Sequence, residues 1–422
     1  MDFYLGKWKT PQPHPFLFTT GIEGSYPVIT DRDGRDKRID LFERTGFYEQ
    51  WRHDFQLVKA LGIQFLRYGP PYYRVHVGPG KYDWSFSDDT LAELERLKIT
   101  VLVDLCHFGV PDWLGNFQNE EWPHHFAEYA RAFATRYPHL RLFTPVNEIF
   151  ITAKFSAHLG WWNERQQSDF TFIRAIINCV KANLLAQEAI IEVQPLALFI
   201  QVASTEYFHP EEPAAVHRAD FLNSQRFLPL DLCYGQDVAA CTYAWLLDNG
   251  VTHDEYMWLR NHGSSSKLRC IMGNDYYATN EHVVPVDERK PVYSAGETYG
   301  YYIVTRGYYD RYHLPVMHTE TNIKDADLAP QWLHRQWHQL LQLKRDGVPI
   351  VGFTWYSLID QIDWDVQLRE DNGTVNPCGL FDLNRQIRPV GLSYQQLIAR
   401  WKDILPMESR SIDLLAYSTT LT

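Results

Sequence analysis

Short apolar runs separated by amphipathic stretches are the feature that most constrains the fold of this 422-residue chain. Runs with the length and composition of buried strands recur along the sequence, and helical periodicity lies between them. The predicted strands are 16–20, 63–68, 100–107, 142–148, 196–203, 268–277, 314–320 and 350–357. Alternation of strand and helix predicts a parallel sheet, and eight such units predict a closed (β/α)8 barrel.

We expect one α/β domain, a single TIM barrel with long βα loops, over residues 1–422. The pattern loosens into helical pieces at about 204–267, which predicts an insertion over one face of the barrel. The charged run 31–38 lacks the ligand spacing of a calcium loop and is interpreted as a solvated loop. The polar segment from Glu408 onward is expected to be loosely held.

Charge and composition exclude several classes of partner. The formal net charge is −12, so the basic surface of a nucleic-acid-binding protein is missing. The sequence has no apolar run long enough to predict a membrane span, and the first residues lack the apolar core of a secretory signal. The six cysteines are scattered without a Cys-x-x-Cys pair and are interpreted as reduced thiols, which predicts a cytoplasmic protein.

Two of the predicted strands end on a glutamate. The run 142–148 ends on Asn147 and Glu148, and the run 314–320 ends on Glu320. The carboxyl ends of barrel strands form the face that carries catalytic groups, and glycoside hydrolysis needs two carboxylates on such a face. For the run 142–148 alone, an Asn and a Glu that merely cap the following helix are an equally good interpretation.

Other catalytic signatures are missing from the sequence. It has no glycine-rich phosphate loop, no His-Glu-x-x-His zinc motif and no nucleophile elbow. His124, His125 and His139 lack the spacing of metal ligands and are interpreted as surface residues. We therefore expect neither a metal nor another cofactor.

Five short motifs at the predicted strand ends carry a family resemblance. They are Leu66-Arg67-Tyr68, Cys106-His107-Phe108, Thr144-Pro145-Val146-Asn147-Glu148-Ile149, Gly273-Asn274-Asp275-Tyr276-Tyr277 and His318-Thr319-Glu320-Thr321-Asn322. In this order they are similar to Tyr-Arg-Phe, Tyr-His-Trp, Thr-Phe-Asn-Glu-Pro, Gly-Ile-Asn-Tyr-Tyr and Ile-Thr-Glu-Asn-Gly of glycoside hydrolase family 1. The chain therefore resembles this β-glucosidase family over nearly its whole length.

The resemblance implies that Glu148 is the general acid/base and Glu320 the nucleophile. A nucleophilic carboxylate must be ionised, which Arg67 nearby would favour, and the charge on Glu320 would help Glu148 to hold its proton. Tyr277 would hydrogen-bond Glu320 and orient it. For Arg67, a structural salt bridge beneath the barrel mouth is an alternative that does not exclude contact with Glu320.

The same resemblance implies that His107 and Asn147 bind hydroxyls of the glycone, the sugar whose bond is cleaved. For His107 the alternative is a core histidine whose hydrogen bonds are satisfied within the protein. Further sugar-binding positions of the family fall on Asp275, Tyr356, Asp363 and Trp364.

Several positions depart from the family pattern in ways that change the expected glycone. Gly21 replaces a sugar-binding Gln, Asp275 an Asn, Tyr356 a platform Trp, and Asp363 a Glu that holds outer hydroxyls. We expect extra space and fewer hydrogen-bond donors deep in the pocket, so simple β-glucosides should be poor substrates. A bulkier, substituted or differently hydroxylated glycone should then react better. Alternatively, the loops 6–14 or 366–376 supply the missing contacts and glucose still fits.

The sequence thus predicts a retaining β-glycosidase that hydrolyses small glycosides through a covalent glycosyl-enzyme. One alternative is a transglycosylase that uses the same two glutamates, and another is a non-catalytic sugar-binding barrel. Trp161 and Trp162, shortly after Glu148, are equally interpretable as a platform for the leaving group or as loop packing. The expected partner is a small glycoside, without nucleic acid or membrane, and the oligomeric state stays open.

Overall fold

The computed structural model describes residues 16–405 and contains a closed barrel of eight parallel strands. Its strands are β1 Leu17–Gly21, β2 Phe65–Tyr68, β3 Thr100–Asp104, β4 Leu142–Thr144, β5 Leu198–Ser204, β6 Cys270–Asp275, β7 Val316–Glu320 and β8 Ile350–Trp355. Each strand pairs with the strands before and after it, and β8 closes the barrel against β1. The predicted (β/α)8 fold is confirmed.

Helices alternate with the barrel strands. The longer helices are Phe47–Ala60, Ser85–Leu97, Trp122–Arg136, Asp169–Val193, Val216–Gln225, Ala240–Asp248, His253–Ser266, Gly300–Tyr312, Ala329–Arg345 and Pro389–Trp401. Shorter helices are Leu41–Arg44, Tyr72–Val75, Ile149–Ala153 and Leu228–Cys233, and a π-helical turn spans Lys154–His158. The segment between β5 and β6 contains several of these helices and the short strand Tyr207–Pro210.

Apolar side chains on both faces of the strands explain why the barrel closes. The apolar residues Phe47, Trp51, Phe55 and Val58 are buried on one face of the helix Phe47–Ala60. A separate buried cluster consists of the strand residues Leu17, Leu102, Leu142, Leu198, Ile200, Val202, Ile271, Met317 and Val351. Burial stabilises the barrel by roughly 25 cal/mol per Å² of apolar surface removed from water, and it holds the strand ends in fixed positions.

The charged run 31–38 is not the plain loop expected from the sequence. Val28–Thr30 and Asp36–Arg38 pair as an antiparallel hairpin. The Asp31 carboxylate accepts hydrogen bonds from two backbone N–H groups of the connecting turn, at 2.9 and 2.8 Å. This side-chain-to-backbone bonding fixes a turn although its charged residues are exposed.

The strand that leads to Glu148 is shorter than expected. It ends at Thr144, and Glu148 is the residue that precedes the helix Ile149–Ala153. Its backbone φ is 37°, a left-handed conformation that costs a non-glycine residue on the order of 1–3 kcal/mol. Its side chain makes no capping hydrogen bond to that helix. The interpretation of Glu148 as a simple helix cap is therefore wrong.

Some expectations fall outside residues 16–405. These are the absence of a secretory signal at the start of the chain, the contacts of the loop 6–14 and the loose segment from Glu408 onward. All six cysteines lie within the described part, where they are unpaired, and five are buried. None of the helices described between residues 16 and 405 has the length and apolar character needed to cross a bilayer.

Candidate active site

Arg67, on β2, joins polar groups from several strand ends. Its guanidinium donates to Oε1 of Glu320, to Oδ2 of Asp104 at 2.8 Å and to Oδ1 of Asn147 at 2.5 Å. The arginine is buried, and hydrogen bonds to carboxylates and an amide replace those that water would provide. One side chain therefore ties the carboxyl ends of β2, β3 and β7 to the segment that follows β4.

Glu320 ends β7, and both of its carboxylate oxygens have partners. Arg67 donates to Oε1, and the hydroxyl of Tyr277 donates to Oε2 over 2.6 Å. Both contacts expected from the sequence are present. The arrangement holds an oriented carboxylate at the mouth of the barrel.

Glu148 is the second glutamate of this cluster. The residue is 7% exposed. Burial, and then the negative charge of Glu320, hold the pKa of Glu148 well above its usual range, although Arg67 acts in the opposite direction. A carboxyl with a raised pKa keeps its proton to higher pH. Glu148 is therefore suited to donate a proton close to the oriented carboxylate of Glu320.

His107 follows β3, and its ring is fixed by polar groups on both sides. Nδ1 lies 2.7 Å from Oδ2 of Asp104, whereas Nε2 lies 3.4 Å from Nδ2 of Asn147 and 3.8 Å from Oε1 of Glu23. Burial opposes a charge on the imidazole, but the Asp104 and Glu23 carboxylates outweigh it and raise the pKa of His107. Only Nδ1 has a short partner, so Nε2 is able to donate to a ligand.

Two carboxylates of the site were not predicted from the sequence. Asp104 is the last residue of β3 and contacts both Arg67 and His107. Glu23 lies just after β1, is buried, and accepts a hydrogen bond from Nε2 of Gln361 at 3.1 Å. The signal that could have identified them is position, because each stands at or just beyond the carboxyl end of a barrel strand.

The extra space expected beside Gly21 does not exist, and that expectation is wrong. A Cβ atom on residue 21 would stand 2.1 Å from Cε2 and 2.3 Å from Cδ2 of Tyr356, whose buried ring fills the position. The same ring faces Arg67, with 5.5 Å between Cζ and the ring centroid. The cavity that remains beside Tyr356 and His107 has a volume of about 10 Å³, the room of one water molecule.

Asp363 is held by protein groups, in contrast to the sugar-binding role expected for it. Its carboxylate accepts hydrogen bonds from Arg44 at 2.6 Å and from the backbone N–H groups of residues 372–374 at 2.7 to 3.1 Å. The side chain is fully buried, and none of these partners contacts Arg67. Asp363, which is shorter than the Glu of the family pattern, thus anchors the loop 366–376. It does not join the polar groups that bind Arg67.

The tryptophans near the site have different surroundings. The indole N–H of Trp364 is buried and has no hydrogen-bond partner among the described residues, so it is open to a ligand hydroxyl. Trp162 is fully buried and donates its indole N–H to the carbonyl of Gln367 at 2.9 Å, which is loop packing. Trp161 is half-buried, and the Arg369 guanidinium lies 5.1 Å from its ring centroid.

Asp275, the last residue of β6, is a further carboxyl of the site and lies beside Glu320. It pairs with Glu320 in the register of β6 and β7. Burial, and then the charges of Glu320 and Glu148, hold the pKa of Asp275 well above its usual range. Within residues 16–405, no group of His, Cys, Asp or Glu side chains is arranged to hold a metal ion.

Comparison with known proteins relates the chain to one family. The family model described as "Glycosyl hydrolase family 1" matches residues 33–245. The 6-phospho-beta-glucosidase AscB of Escherichia coli (strain K12) is 22% identical over an alignment of 394 positions, which covers 83% of this chain and 81% of that protein. The furostanol glycoside 26-O-beta-glucosidase of Hellenia speciosa is 22% identical over an alignment of 465 positions, which covers 90% of this chain and 78% of that protein.

The solved structures agree with the observed barrel. The beta-glucosidase from Thermotoga maritima in complex with deoxynojirimycin superposes with a TM-score of 0.77 at 18% identity, over 92% of this chain and 98% of that one. Its noeuromycin complex gives the same values. This likeness shows a shared fold, while the family model spans about half of the chain. The chain therefore belongs to glycosyl hydrolase family 1 and is a glycoside hydrolase.

Proposed function

We propose that this chain is a retaining β-glycosidase in which Glu320 is the nucleophile and Glu148 the general acid/base. The proposal rests on the Glu320 carboxylate, which accepts hydrogen bonds from Arg67 and Tyr277. The neighbouring Glu148 carboxyl has a raised pKa. Double displacement at an anomeric carbon requires this division of roles between two carboxyls.

In the first step, an oxygen of Glu320 attacks the anomeric carbon from the face opposite the leaving group. Arg67 and Tyr277 hold this carboxylate in a fixed orientation, and each of its oxygens retains a lone pair beyond the one that accepts their hydrogen bond. Glu148 gives its proton to the glycosidic oxygen, so the leaving group departs as an alcohol. The sugar is then an ester of Glu320.

In the second step, the Glu148 carboxylate accepts a proton from water, which attacks the same carbon and releases Glu320. Two displacements from opposite faces return the original β configuration. The mechanism needs the two carboxyls roughly 5 Å apart, so that the nucleophile touches the anomeric carbon without an intervening water. A separation near 9 Å in a complex with a glycone analogue would contradict it.

We propose that the glycone is bound by His107, Asn147 and Trp364. Nε2 of His107 and the indole N–H of Trp364 are donors without a short partner in the described part of the protein. Arg67 binds Oδ1 of Asn147, which orients the amide so that its Nδ2 group is the one available to a hydroxyl. These donors explain how a polyhydroxylated ring would be held against Glu320.

The glycone is proposed to be smaller, or less hydroxylated, than glucose on the side of Gly21 and Tyr356. At position 21 the family pattern has the amide of a Gln, whereas in this chain the ring edge of Tyr356 packs against Gly21. A sugar hydroxyl buried against that ring would lose its hydrogen bonds at a cost of about 1–3 kcal/mol. Pentosides and deoxyglycosides avoid this cost. A bulkier glycone is not proposed, because Tyr356 occupies the space that it would need.

A phosphorylated glycone is less well supported. The Escherichia coli relative is a 6-phospho-beta-glucosidase by name. In this chain the position that the family uses for outer hydroxyls is the buried carboxylate of Asp363. Two of the nearby cations are engaged, since Arg44 pairs with Asp363 and Asp371, and Lys37 also pairs with Asp371. A phosphate of charge about −2 would be repelled by these carboxylates.

A panel of nitrophenyl glycosides tests the proposal. It should include α and β linkages, glucosides, 6-phosphoglucosides, pentosides and deoxyglycosides, with the Glu148→Gln/Glu320→Gln double variant as the inactive control. We expect turnover of β-glycosides only, with pentosides or deoxyglycosides ahead of glucosides, and NMR should first detect the β product. Initial α product would refute retention. Saturable sugar binding without turnover would instead favour a non-catalytic barrel.

Product analysis with added sugar acceptors distinguishes hydrolysis from transglycosylation. Both reactions pass through the same ester of Glu320, and they differ only in the hydroxyl that resolves it. We expect free sugar as the main product at low acceptor concentration. New disaccharides as the main product under those conditions would favour the transglycosylase.

A further inference from the structure

Tyr277 contacts the proposed nucleophile with its side chain, and Asn280 holds its backbone. The Tyr277 hydroxyl donates to Oε2 of Glu320 over 2.6 Å. The backbone N–H of Tyr277 donates to Oδ1 of Asn280 over 2.8 Å, and its carbonyl accepts from the backbone N–H of Asn280 over 3.0 Å. Asn280 therefore binds both polar backbone groups of Tyr277 and closes the turn 277–280.

The side chain of Asn280 is fixed by two residues at the carboxyl end of β5. Its Nδ2 group donates to Oγ of Ser204 at 2.6 Å and to Oε1 of Glu206 at 3.3 Å. The Ser204 hydroxyl donates to the same Oε1 at 2.7 Å. All three residues are buried, so water does not compete for these hydrogen bonds. The amide thus has an acceptor side facing Tyr277 and a donor side facing β5.

Glu206 is a buried carboxyl that the double displacement does not use. Its Oε2 is bound to Nε2 of His282 and lies 3.7 Å from Nζ of Lys154. Burial alone would raise the pKa of Glu206, but His282 and Lys154 outweigh it and lower the pKa to about 2. An ionised carboxylate only accepts hydrogen bonds, so Oε1 stays an acceptor for Ser204 and Asn280 at neutral pH.

We propose that Asn280, fixed by Ser204 and Glu206, is a positioning residue that holds the Tyr277 hydroxyl against Glu320. This inference rests on the proposed role of Glu320 as the nucleophile. Tyr277 stands beyond the last residue of β6, and both of its backbone hydrogen bonds go to Asn280. A rotation of this backbone is amplified at the hydroxyl, at the far end of the ring. Misplacement of a catalytic contact by 1 Å costs about a hundredfold in rate.

A double-mutant cycle on kcat/KM tests the link between Asn280 and Tyr277. We expect Asn280→Ala alone to lower kcat/KM for the best nitrophenyl β-glycoside about ten- to hundredfold, because the hydroxyl no longer meets Glu320. In a Tyr277→Phe background the same substitution should cost less than about twofold, since no hydroxyl is left to position. A residue that only stabilises the fold would cost the same in both backgrounds.

Asn223→Ala is the matched control, because Asn223 binds the backbone of Phe208 in the same manner. Its Oδ1 accepts from the Phe208 N–H at 3.0 Å, and its Nδ2 group donates to the Phe208 carbonyl at 2.7 Å. The Phe208 ring packs in a separate apolar cluster with Ala219 and Val284. Any loss of kcat/KM in Asn223→Ala should therefore be equal with and without the Tyr277 hydroxyl.

Several outcomes would overturn the proposal. One is an equal loss from Asn280→Ala in both backgrounds, and another is a wild-type kcat/KM in folded Asn280→Ala or in Tyr277→Phe. Ser204→Ala serves as a second variant if Asn280→Ala does not fold, because it removes the shorter of the two hydrogen bonds that fix the Asn280 amide. Its loss should be smaller and should also disappear in the Tyr277→Phe background. An equal loss from Ser204→Ala in both backgrounds would refute the positioning role.

The proposed function has its own, separate failure. If Glu320→Ala retained wild-type rates, Glu320 would not be the nucleophile, whatever the result of the cycle. If Glu320→Ala is inactive and azide restores turnover, but Asn280→Ala costs the same in both backgrounds, only the positioning role of Asn280 is refuted.

Discussion

The aromatic ring of Tyr356 occupies the position at which a side chain on Gly21 would begin. A Cβ atom on Gly21 would lie 2.1 Å from Cε2 of Tyr356, far inside van der Waals contact. Tyr356 is buried, so its ring cannot move aside into solvent. Gly21 and Tyr356, which both depart from the family pattern, are therefore one coupled change. The polar side chain that would contact the sugar is replaced by the ring of Tyr356.

We expect Gly21→Ala to destabilise the protein by about 1–3 kcal/mol, because the new methyl overlaps a buried ring. In a Tyr356→Ala background the same substitution should cost much less. Chemical denaturation of the four proteins in this cycle measures the coupling. Gly307→Ala is the control, since a Cβ there meets nothing within 4 Å and the site is helical. Equal costs of Gly21→Ala in both backgrounds would show that the residues are not coupled.

Glu320→Ala should abolish turnover, and added azide or formate should restore part of it. A small anion entering the space of the lost carboxylate attacks the anomeric carbon from the same face. With azide, the product should be the α-glycosyl azide, which NMR identifies. Glu128→Ala removes an exposed glutamate, so it should keep wild-type rates and gain nothing from azide. Full activity of Glu320→Ala without an added anion would exclude Glu320 as the nucleophile.

Glu148→Ala should respond strongly to the leaving group. Protonation of the glycosidic oxygen contributes about 10²–10⁴-fold for a poor leaving group and little for an activated phenol. Plots of kcat/KM against the pKa of the leaving group should therefore be steep for the variant and shallow for the wild type. Parallel plots would mean that another group protonates the leaving oxygen.

His318 should make the folded state sensitive to acid. It is buried on β7, and its ring stacks on Tyr301 with 3.8 Å between centroids. Burial lowers the pKa of His318 from 6.5 to about 3. Below pH 6.5 the unfolded chain binds this proton and the folded chain does not, so the free energy of unfolding should fall as pH drops towards 3.

This acid sensitivity amounts to about 1.4 kcal/mol per pH unit within that window and vanishes above it. Urea denaturation at pH 7 and pH 5 measures it. His318→Phe should lose less stability than the wild type over this interval, whereas His139→Ala, at an exposed position, should lose as much. An unchanged pH dependence in His318→Phe would show that His318 is not its source.

Much of the fold and part of the site follow from patterns that are local in the sequence. Strands that end on polar residues meet at one face of a parallel barrel, which is why Glu320, Arg67 and Tyr277 could be expected to lie in contact. The same rule, applied more strictly, would have included Asp104 and Glu23. Position along a strand thus predicts which residues share the mouth of the barrel.

Which residues pack against each other depends on parts of the chain that are far apart in sequence, so the sequence patterns did not predict these contacts. Asp363 matches a sugar-binding position, yet its carboxylate binds Arg44, which lies 319 residues earlier in the chain. Gly21 was expected to leave a void, but whether a void forms depends on the ring of Tyr356, at the other end of the barrel sequence. Volumes and ion pairs of this kind require the three-dimensional arrangement, because no spacing rule relates such distant residues.

A covalent bond between Glu320 and the sugar is the central feature of the proposed mechanism. A 2-fluoro β-glycoside of the preferred glycone, with an activated leaving group, should accumulate this ester, because fluorine slows both steps and the leaving group speeds the first. Mass spectrometry of the digested protein should then find the mass of the fluorosugar on the peptide that contains Glu320, and no label in Glu320→Gln. Label on a different carboxyl in the wild-type enzyme would contradict the assignment.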